Sequence, residues 1–319
     1  MTQENTRLEY FPVSFFSVVM GLAGLSIAWE KTMDVLQINL PVNYVLAFVA
    51  GLTFVVLSGF YFTKFLRHRS AVVAELHHPI KLNFFPAISI SLILLSIATL
   101  HIFQPLSHVL WMAGSALHLL LMLYVLNVWV HHEHFEIHHL NPAWFIPAVG
   151  NVLVPIAGIS LGYYQISWFF FSVGILFWLI LLIIIFNRIL FHRPLPGKLL
   201  PTLFILIAPP AVGFVSYVKL TGGVDAFAHV LYYIGVFFTL FLFTQVTRFI
   251  RIPFFLSWWA YSFPLAAITV ASWVMFEQTN VFGIKLMALG LLAILTLVVL
   301  LLIFKTIQAI RDRQICLPE

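Results

Sequence analysis

Ten apolar runs follow one another along the chain, and short polar or charged segments separate them. A run of about 20 apolar residues is the length that an α-helix needs to cross the hydrocarbon core of a bilayer. The pattern therefore predicts an all-α, polytopic membrane protein with ten transmembrane helices. The predicted spans lie close to residues 11–29, 42–66, 82–103, 106–130, 142–162, 168–191, 199–220, 224–246, 254–276 and 281–306.

The odd-numbered spans contain helix-breaking residues that the even-numbered spans lack. Each odd span carries a proline near its start or middle, and these prolines are Pro12, Pro86, Pro147, Pro201 and Pro264. The even spans are smooth apolar runs, for example residues 177–186. The recurrence of a proline on every second span is typical of a repeated supersecondary unit. The alternation predicts five helical hairpins in a quasi-fivefold ring, with the odd helices around a central pore and the even helices facing lipid.

The ninth span contains the segment WWAYSFPL, residues 258–265, in which a phenylalanine directly precedes a proline. A proline inside a helix removes one backbone donor and leaves the carbonyl four residues earlier, here that of Ala260, without its usual partner. We therefore expect a bend at Pro264, and we expect the ring of Phe263 to project into the pore and close it. The alternative is that Phe263, one of 33 phenylalanines, only packs against helices or lipid, and that the prolines only bend helices for packing.

Small, polar and helix-breaking residues of the odd spans form the predicted lining of the pore. They are Ser17, Gly21, Pro86, Ser89, Pro147, Asn151, Pro209, Ser262 and Pro264. The acidic rings that select cations in many channels are missing from these spans. A kinked helix also presents a second helix N-terminus, whose unpaired N–H groups favour anions. We expect the pore to pass small monovalent anions.

Composition and charge agree with a membrane protein and indicate its topology. Of the 319 residues, 62% are hydrophobic and 8% are charged, against about 25% charged in an ordinary soluble domain. All Lys and Arg residues except Lys31, Lys219 and Lys285 cluster at the N-terminus or after even spans. The positive-inside rule then places both termini in the cytoplasm, so the net charge of +5 requires no nucleic acid partner. We divide the chain into a short cytoplasmic segment (1–10), one transmembrane domain (11–308) and a short cytoplasmic tail (309–319).

The histidines of residues 131–139, HHEHFEIHH, are the most obvious chemical motif. The spacing of His134, His138 and His139 resembles one histidine box of the membrane di-iron desaturases, which carry three such boxes, and no second or third box is present. The zinc motif HExxH is also missing, and Cys316 is the only cysteine. We expect no metal, no cofactor and no catalytic residue. A di-iron enzyme and a pH sensor built from these histidines are the alternatives.

Five stretches of the odd helices resemble the tellurite-resistance and dicarboxylate-transporter family, which includes bacterial TehA-type proteins and the plant guard-cell slow anion channels. These stretches are residues 15–25, 78–85, 147–151, 208–212 and 258–264. The resemblance implies a homotrimer in which each protomer has its own pore of five inner helices. It also implies that a pore phenylalanine, Phe263 by its place in the motif, occludes the pore. Ser17 departs from the family, because several relatives carry glycine there.

The resemblance leaves two kinds of transport open. The first is an anion channel of the bacterial inner membrane that conducts chloride or nitrate, with the lipid bilayer and small anions as its partners. The second is a proton-coupled secondary transporter or exporter of a C4-dicarboxylate, sulfite or a tellurite-like oxyanion. A channel should show unitary currents, whereas a carrier should show saturable, pH-driven uptake. We favour the channel.

Overall fold

A computed structural model describes residues 7–131 and 135–317. All regular secondary structure in these residues is helical. Ten α-helices form the frame of the fold, and two shorter ones, Arg69–His77 and Val246–Ile250, lie between them. We number the ten as α1 (Phe16–Leu36), α2 (Val42–Arg67), α3 (Pro86–Thr99), α4 (Gln104–His131), α5 (Phe145–Gly158), α6 (Tyr164–Phe191), α7 (Ala208–Thr221), α8 (Ala226–Phe243), α9 (Ser262–Thr279) and α10 (Phe282–Arg311).

Nine helical stretches in the described part of the chain are long and apolar enough to cross a bilayer. The prediction of an all-α, polytopic membrane protein is therefore confirmed. The stretch that contains α5, Pro142–Gly158, is apolar but shorter than the other nine. The α-helix here ends at Gly158 instead of continuing to the predicted Gly162, whose φ of 89° is incompatible with an α-helix. The exact ring of ten spanning helices stays a prediction.

The odd-numbered helices form the interior of the molecule. Each packs against the even-numbered helix that follows it, which gives five hairpins, and each also packs against the next odd-numbered helix, with α9 returning to α1. In an 18-residue apolar stretch of each long span that contains α1, α3, α7 or α9, 72% to 94% of the residues are buried, against 22% to 39% in such stretches of the five even-numbered spans. The even-numbered helices expose large apolar side chains such as Phe48 and Phe237 to their surroundings.

A 3-10 helix precedes every odd-numbered helix. These segments are Val13–Phe15, Lys81–Phe84, Pro142–Trp144, Gly197–Ile207 and Leu256–Tyr261. Pro86 opens α3, and Pro264 is the third residue of α9. A proline is tolerated in the first turn of an α-helix because its missing N–H has no intrahelical partner there. The chain changes from 3-10 to α geometry at Ser262, just before Pro264, and a bend at Pro264 stays a prediction.

Polar contacts mark the two ends of the inner helices. The guanidinium of Arg7 donates to the backbone carbonyl of Arg313 at 3.4 Å, so both ends of the described chain lie on one side. We call this side the terminal face. At the other end of the inner helices, Lys31 Nζ of α1 lies 2.6 Å from Glu277 Oε2 of α9. We call this side the opposite face.

Candidate pore

The inner helices surround two cavities of very different size. The larger has a volume of about 720 Å³ and opens at the terminal face, where Glu9 and residues 314–317 contribute to its mouth. The smaller has a volume of about 40 Å³ and is lined by residues further along each inner helix, toward the opposite face. All five inner helices contribute side chains to the smaller cavity.

The residues that line the cavities recur at the same spacing on all five inner segments, each of which is an odd-numbered helix with the 3-10 helix before it. The first two positions, three residues apart, line the larger cavity: Ser17 and Met20, Ala87 and Ile90, Ile146 and Val149, Ile205 and Ala208, and Ala260 and Phe263. Two further positions, four and seven residues after the second, line the smaller cavity: Gly24 and Ile27, Leu94 and Ile97, Leu153 and Ile156, Val212 and Val215, and Ala267 and Val270. A spacing of three and four residues keeps one helix face toward the axis.

Phe263 is the only residue in the described part of the chain that lines both cavities. Its side chain is 7% exposed, so it stands between the two spaces with little room around it. Gly24 of α1 lies beside the ring, since a Cβ atom at that position would be in ordinary van der Waals contact with Phe263 Cδ2, at 3.6 Å. The ring therefore lies where the two cavities meet.

The walls change from polar to apolar along this path. Every side chain of the smaller cavity is apolar. The mouth of the larger cavity carries the imidazole of His78 and five charged side chains, among which lysines outnumber glutamates: Lys64, Lys81, Lys198, Glu9 and Glu75. Positive charge at the mouth of a cleft with low-dielectric walls raises the local concentration of anions.

Glu75 at this mouth is neutralised by a buried contact. Its Oε2 accepts hydrogen bonds from Lys64 Nζ at 2.8 Å and from the Tyr61 hydroxyl at 2.9 Å. Lys64 also donates to the Phe11 carbonyl at 2.9 Å. The two charges offset each other, so this buried pair contributes little net charge to the mouth.

Two residues of the predicted lining, Ser17 and Pro264, face the larger cavity, as does the predicted gate, Phe263. The Ser17 hydroxyl donates to the Ser14 carbonyl at 2.6 Å, so its hydrogen is used by the 3-10 segment that precedes α1. Gly21 and Ser262 instead lie at the contact between α1 and α9, where a Cβ atom at Gly21 would overlap Ser262 Oγ. Pro86 and Pro209 lie in the first turns of α3 and α7, outside the lining of both cavities.

The remaining predicted lining residues, Ser89, Pro147 and Asn151, surround a buried histidine behind the pore wall. His118 of α4 donates from Nε2 to the Pro147 carbonyl at 2.8 Å, and its Nδ1 lies 2.9 Å from Ser89 Oγ. Asn151 Nδ2 donates to the same carbonyl at 2.8 Å. A Cβ atom at Gly150 would overlap the imidazole. His118 therefore ties α4 to both α3 and α5, which its isolated place in the sequence gave no reason to expect.

The histidine motif at residues 131–139 lies partly outside the described residues, since His132, Glu133 and His134 are not among them. Within the described part of the chain, no group of three metal-binding side chains occurs. His138 Nδ1 lies 3.0 Å from Glu136 Oε2. The pKa of His139 is lowered, mainly because the imidazole is partly buried and to a smaller extent because His138 lies beside it.

Comparison with known proteins gives the family to which this pathway belongs. Residues 10–307 match the SLAC1 family, described as voltage-dependent anion channels. The chain belongs to this family. The match places these residues among anion channels and transporters and not among enzymes, and the prediction of a multi-pass membrane protein is confirmed.

Relatives of the SLAC1-family protein come from plants, bacteria and archaea. It is 30% identical to the S-type anion channel SLAH3 of Arabidopsis thaliana, over 93% of this chain and 48% of that protein. The chain thus spans about half the length of this plant relative. It is 26% identical to the tellurite resistance protein TehA homologue of Haemophilus influenzae, over 93% of both chains. It is 24% identical to the uncharacterized transporter MJ0762 of Methanocaldococcus jannaschii, over 88% of this chain and 89% of that protein.

Proposed function

We propose that this protein is an anion channel that conducts small monovalent anions such as chloride and nitrate through a pore in each protomer. Phe263 is the gate of this pore. The observation that carries the proposal is that two cavities inside the ring of inner helices share this one side chain. Movement of the ring away from the axis joins the larger cavity to the smaller one and opens the path toward the opposite face.

The chemistry of the lining supports weak binding and fast passage of anions. Apolar side chains offer no group that holds an ion tightly, and a narrow apolar constriction gates by excluding water. None of the recurring lining positions on the five inner segments carries a carboxylate. Cations therefore find no acidic ring on the path. The lysines at the mouth of the larger cavity concentrate anions before they enter.

We propose further that residues 11–308 form a single transmembrane domain in the bacterial inner membrane. The clustering of Lys and Arg beside the termini and after even-numbered spans supports a cytoplasmic position for the terminal face. The exposed apolar surfaces of the even-numbered helices are available to lipid and to other protomers. In line with the family resemblance, three protomers assemble, and each keeps its own pore.

The second candidate is a proton-coupled carrier or exporter of a C4-dicarboxylate, sulfite or a tellurite-like oxyanion. The names of two relatives favour it, since one is a transporter and another a tellurite resistance protein homologue. A proton-coupled carrier needs a titratable group at its substrate site. The smaller cavity offers no such group, and this is why we prefer the channel.

Voltage-clamp recordings of the wild type and Phe263→Ala test the proposal in chloride and then in nitrate. The variant should give a large anion current and the wild type a small one, because the substitution removes the ring that separates the cavities. Phe276→Ala is the matched control, since Phe276 lies on the same helix but lines neither cavity. If neither Phe263→Ala nor the wild type carries a current, and dicarboxylate uptake follows the proton gradient, the carrier is favoured.

A further inference from the structure

The spacing of the lining positions continues for one more step beyond the smaller cavity. Four residues after the last lining position, the five inner segments carry, in chain order, Lys31, His101, Ser160, Lys219 and Val274. We call these five residues the opposite-face ring. Lys31 and Lys219 lie within α1 and α7, and His101 and Ser160 lie just after α3 and α5 end. The apolar path from the smaller cavity therefore leads to a ring that contains two lysines.

Two members of the ring already have carboxylate partners. Lys31 Nζ lies 2.6 Å from Glu277 Oε2 and 3.5 Å from Asp34 Oδ2. His101 Nδ1 lies 2.8 Å from Glu30 Oε1. These pairs occupy the positive charge of Lys31 and satisfy the imidazole of His101. An entering anion therefore competes with a carboxylate at both positions.

Lys219 is the exception in the ring. Within the described residues, no carboxylate lies at ion-pair distance from its ammonium group. Its one hydrogen bond is a long contact of 3.5 Å from Nζ to Ser160 Oγ, which leaves further donors of the ammonium group unused. The side chain is exposed to solvent. Glu30, Lys31 and Glu277 all act on it electrostatically, so it stands among the charges of the mouth.

We propose that Lys219 and Ser160 form an anion-binding site at the opposite-face end of the pore, for a small inorganic anion such as a halide or nitrate. The ammonium group supplies charge, and the Ser160 hydroxyl supplies a second donor from the turn that follows α5. Glu30 and Glu277 lower the net positive potential, which keeps the affinity low and lets the anion leave. The role of this site in conduction rests on the proposed channel function.

Unitary conductance in the Phe263→Ala background tests this role. Lys219→Met should reduce the conductance about two- to fivefold when the opposite face holds dilute chloride, because the charge that concentrates the anion is lost. In concentrated chloride the reduction should largely disappear, because salt screens the charge. Lys219→Arg should restore the parent value. Lys285→Met is the matched control, since Lys285 lies on α10 with its Nζ 5.6 Å from the centroid of the Phe276 ring and outside the opposite-face ring. An equal conductance for Lys219→Met and its parent at low salt would refute the role.

Bromide soaked into crystals of the wild type and of Lys219→Met tests the site without any current. We expect anomalous density within hydrogen-bond distance of Lys219 Nζ in the wild type and its loss in the variant. A wild-type structure without this density, or density that persists in Lys219→Met, overturns the site. If Phe263→Ala carries no current but the bromide binds as expected, the channel proposal fails and the anion site stands.

Discussion

Removal of one charge from the buried ion pair at the mouth of the larger cavity should destabilise the protein strongly. Lys64 Nζ lies 2.8 Å from Glu75 Oε2, and the two side chains are 1% and 8% exposed. Glu75→Gln keeps the shape of the side chain and can still accept the hydrogen bond from Tyr61. It leaves the ammonium of Lys64 buried without a counter-charge.

Loss of one partner of a buried ion pair costs about 3–5 kcal/mol, because the other charge stays buried and unpaired. The Phe11 carbonyl still accepts a hydrogen bond from Lys64 at 2.9 Å, so we expect the lower end of this range. With a shift of about 2 °C for each kcal/mol in a chain of this size, the midpoint of thermal unfolding in detergent should fall by about 6 °C.

Two further variants show whether burial causes this loss. Asp34→Asn removes the charge of an exposed ion pair, in which the side chain of Lys31 is 23% exposed and that of Asp34 is 66% exposed. This substitution should lower the free energy of unfolding by no more than about 1 kcal/mol. The double variant Lys64→Met with Glu75→Leu removes both buried charges and should recover most of the stability. A Glu75→Gln midpoint as close to the wild type as that of Asp34→Asn would refute the reasoning.

Three other predictions concern packing and pH. Gly150→Ala should lower the unfolding midpoint because its Cβ overlaps the imidazole of His118, and His118→Ala in the same chain should restore part of the loss; absence of any rescue would contradict the contact. Gly24→Ala should also lower the midpoint, because its Cβ would lie 2.9 Å from a side-chain atom of α9, and an unchanged midpoint would show that the helices separate freely. The pKa of Asp225 is lowered, first by the hydrogen bond from the Tyr217 hydroxyl, so its stabilisation is present above pH of about 4 and is lost as the pH falls through the lowered value. Asp225→Ala should therefore show a weaker decline of the midpoint below pH 4 than the wild type in parallel melts.

The arrangement of inner and outer helices could be predicted from the sequence because lipid and protein impose different demands on a helix. Smooth runs such as residues 177–186 face the surroundings, whereas proline-containing spans lie inside. The 3-10 segments were not predicted, since a proline such as Pro264 fits both a bent helix and the first turn of a new one. The sequence pattern is the same for both geometries.

The identity of the lining residues was harder to predict, because polar residues seemed the natural choice for an ion path. In a bilayer, polar side chains need partners, and Ser89 and Asn151 find theirs behind the wall, around His118 and the Pro147 carbonyl. The lining that the structure reveals is mostly apolar. Its repeated spacing of three and four residues on each odd helix was present in the sequence and would have indicated positions such as Ile90.

The reversal potential of the Phe263→Ala current tests the central claim most directly. In a planar bilayer with a tenfold gradient of potassium chloride, a pore selective for chloride reverses close to the chloride equilibrium potential, about 59 mV from zero. We predict a reversal near this value, with the sign set by chloride, and the same behaviour when nitrate replaces chloride. A reversal near zero, or one with the sign of potassium, would contradict an anion pore closed by Phe263.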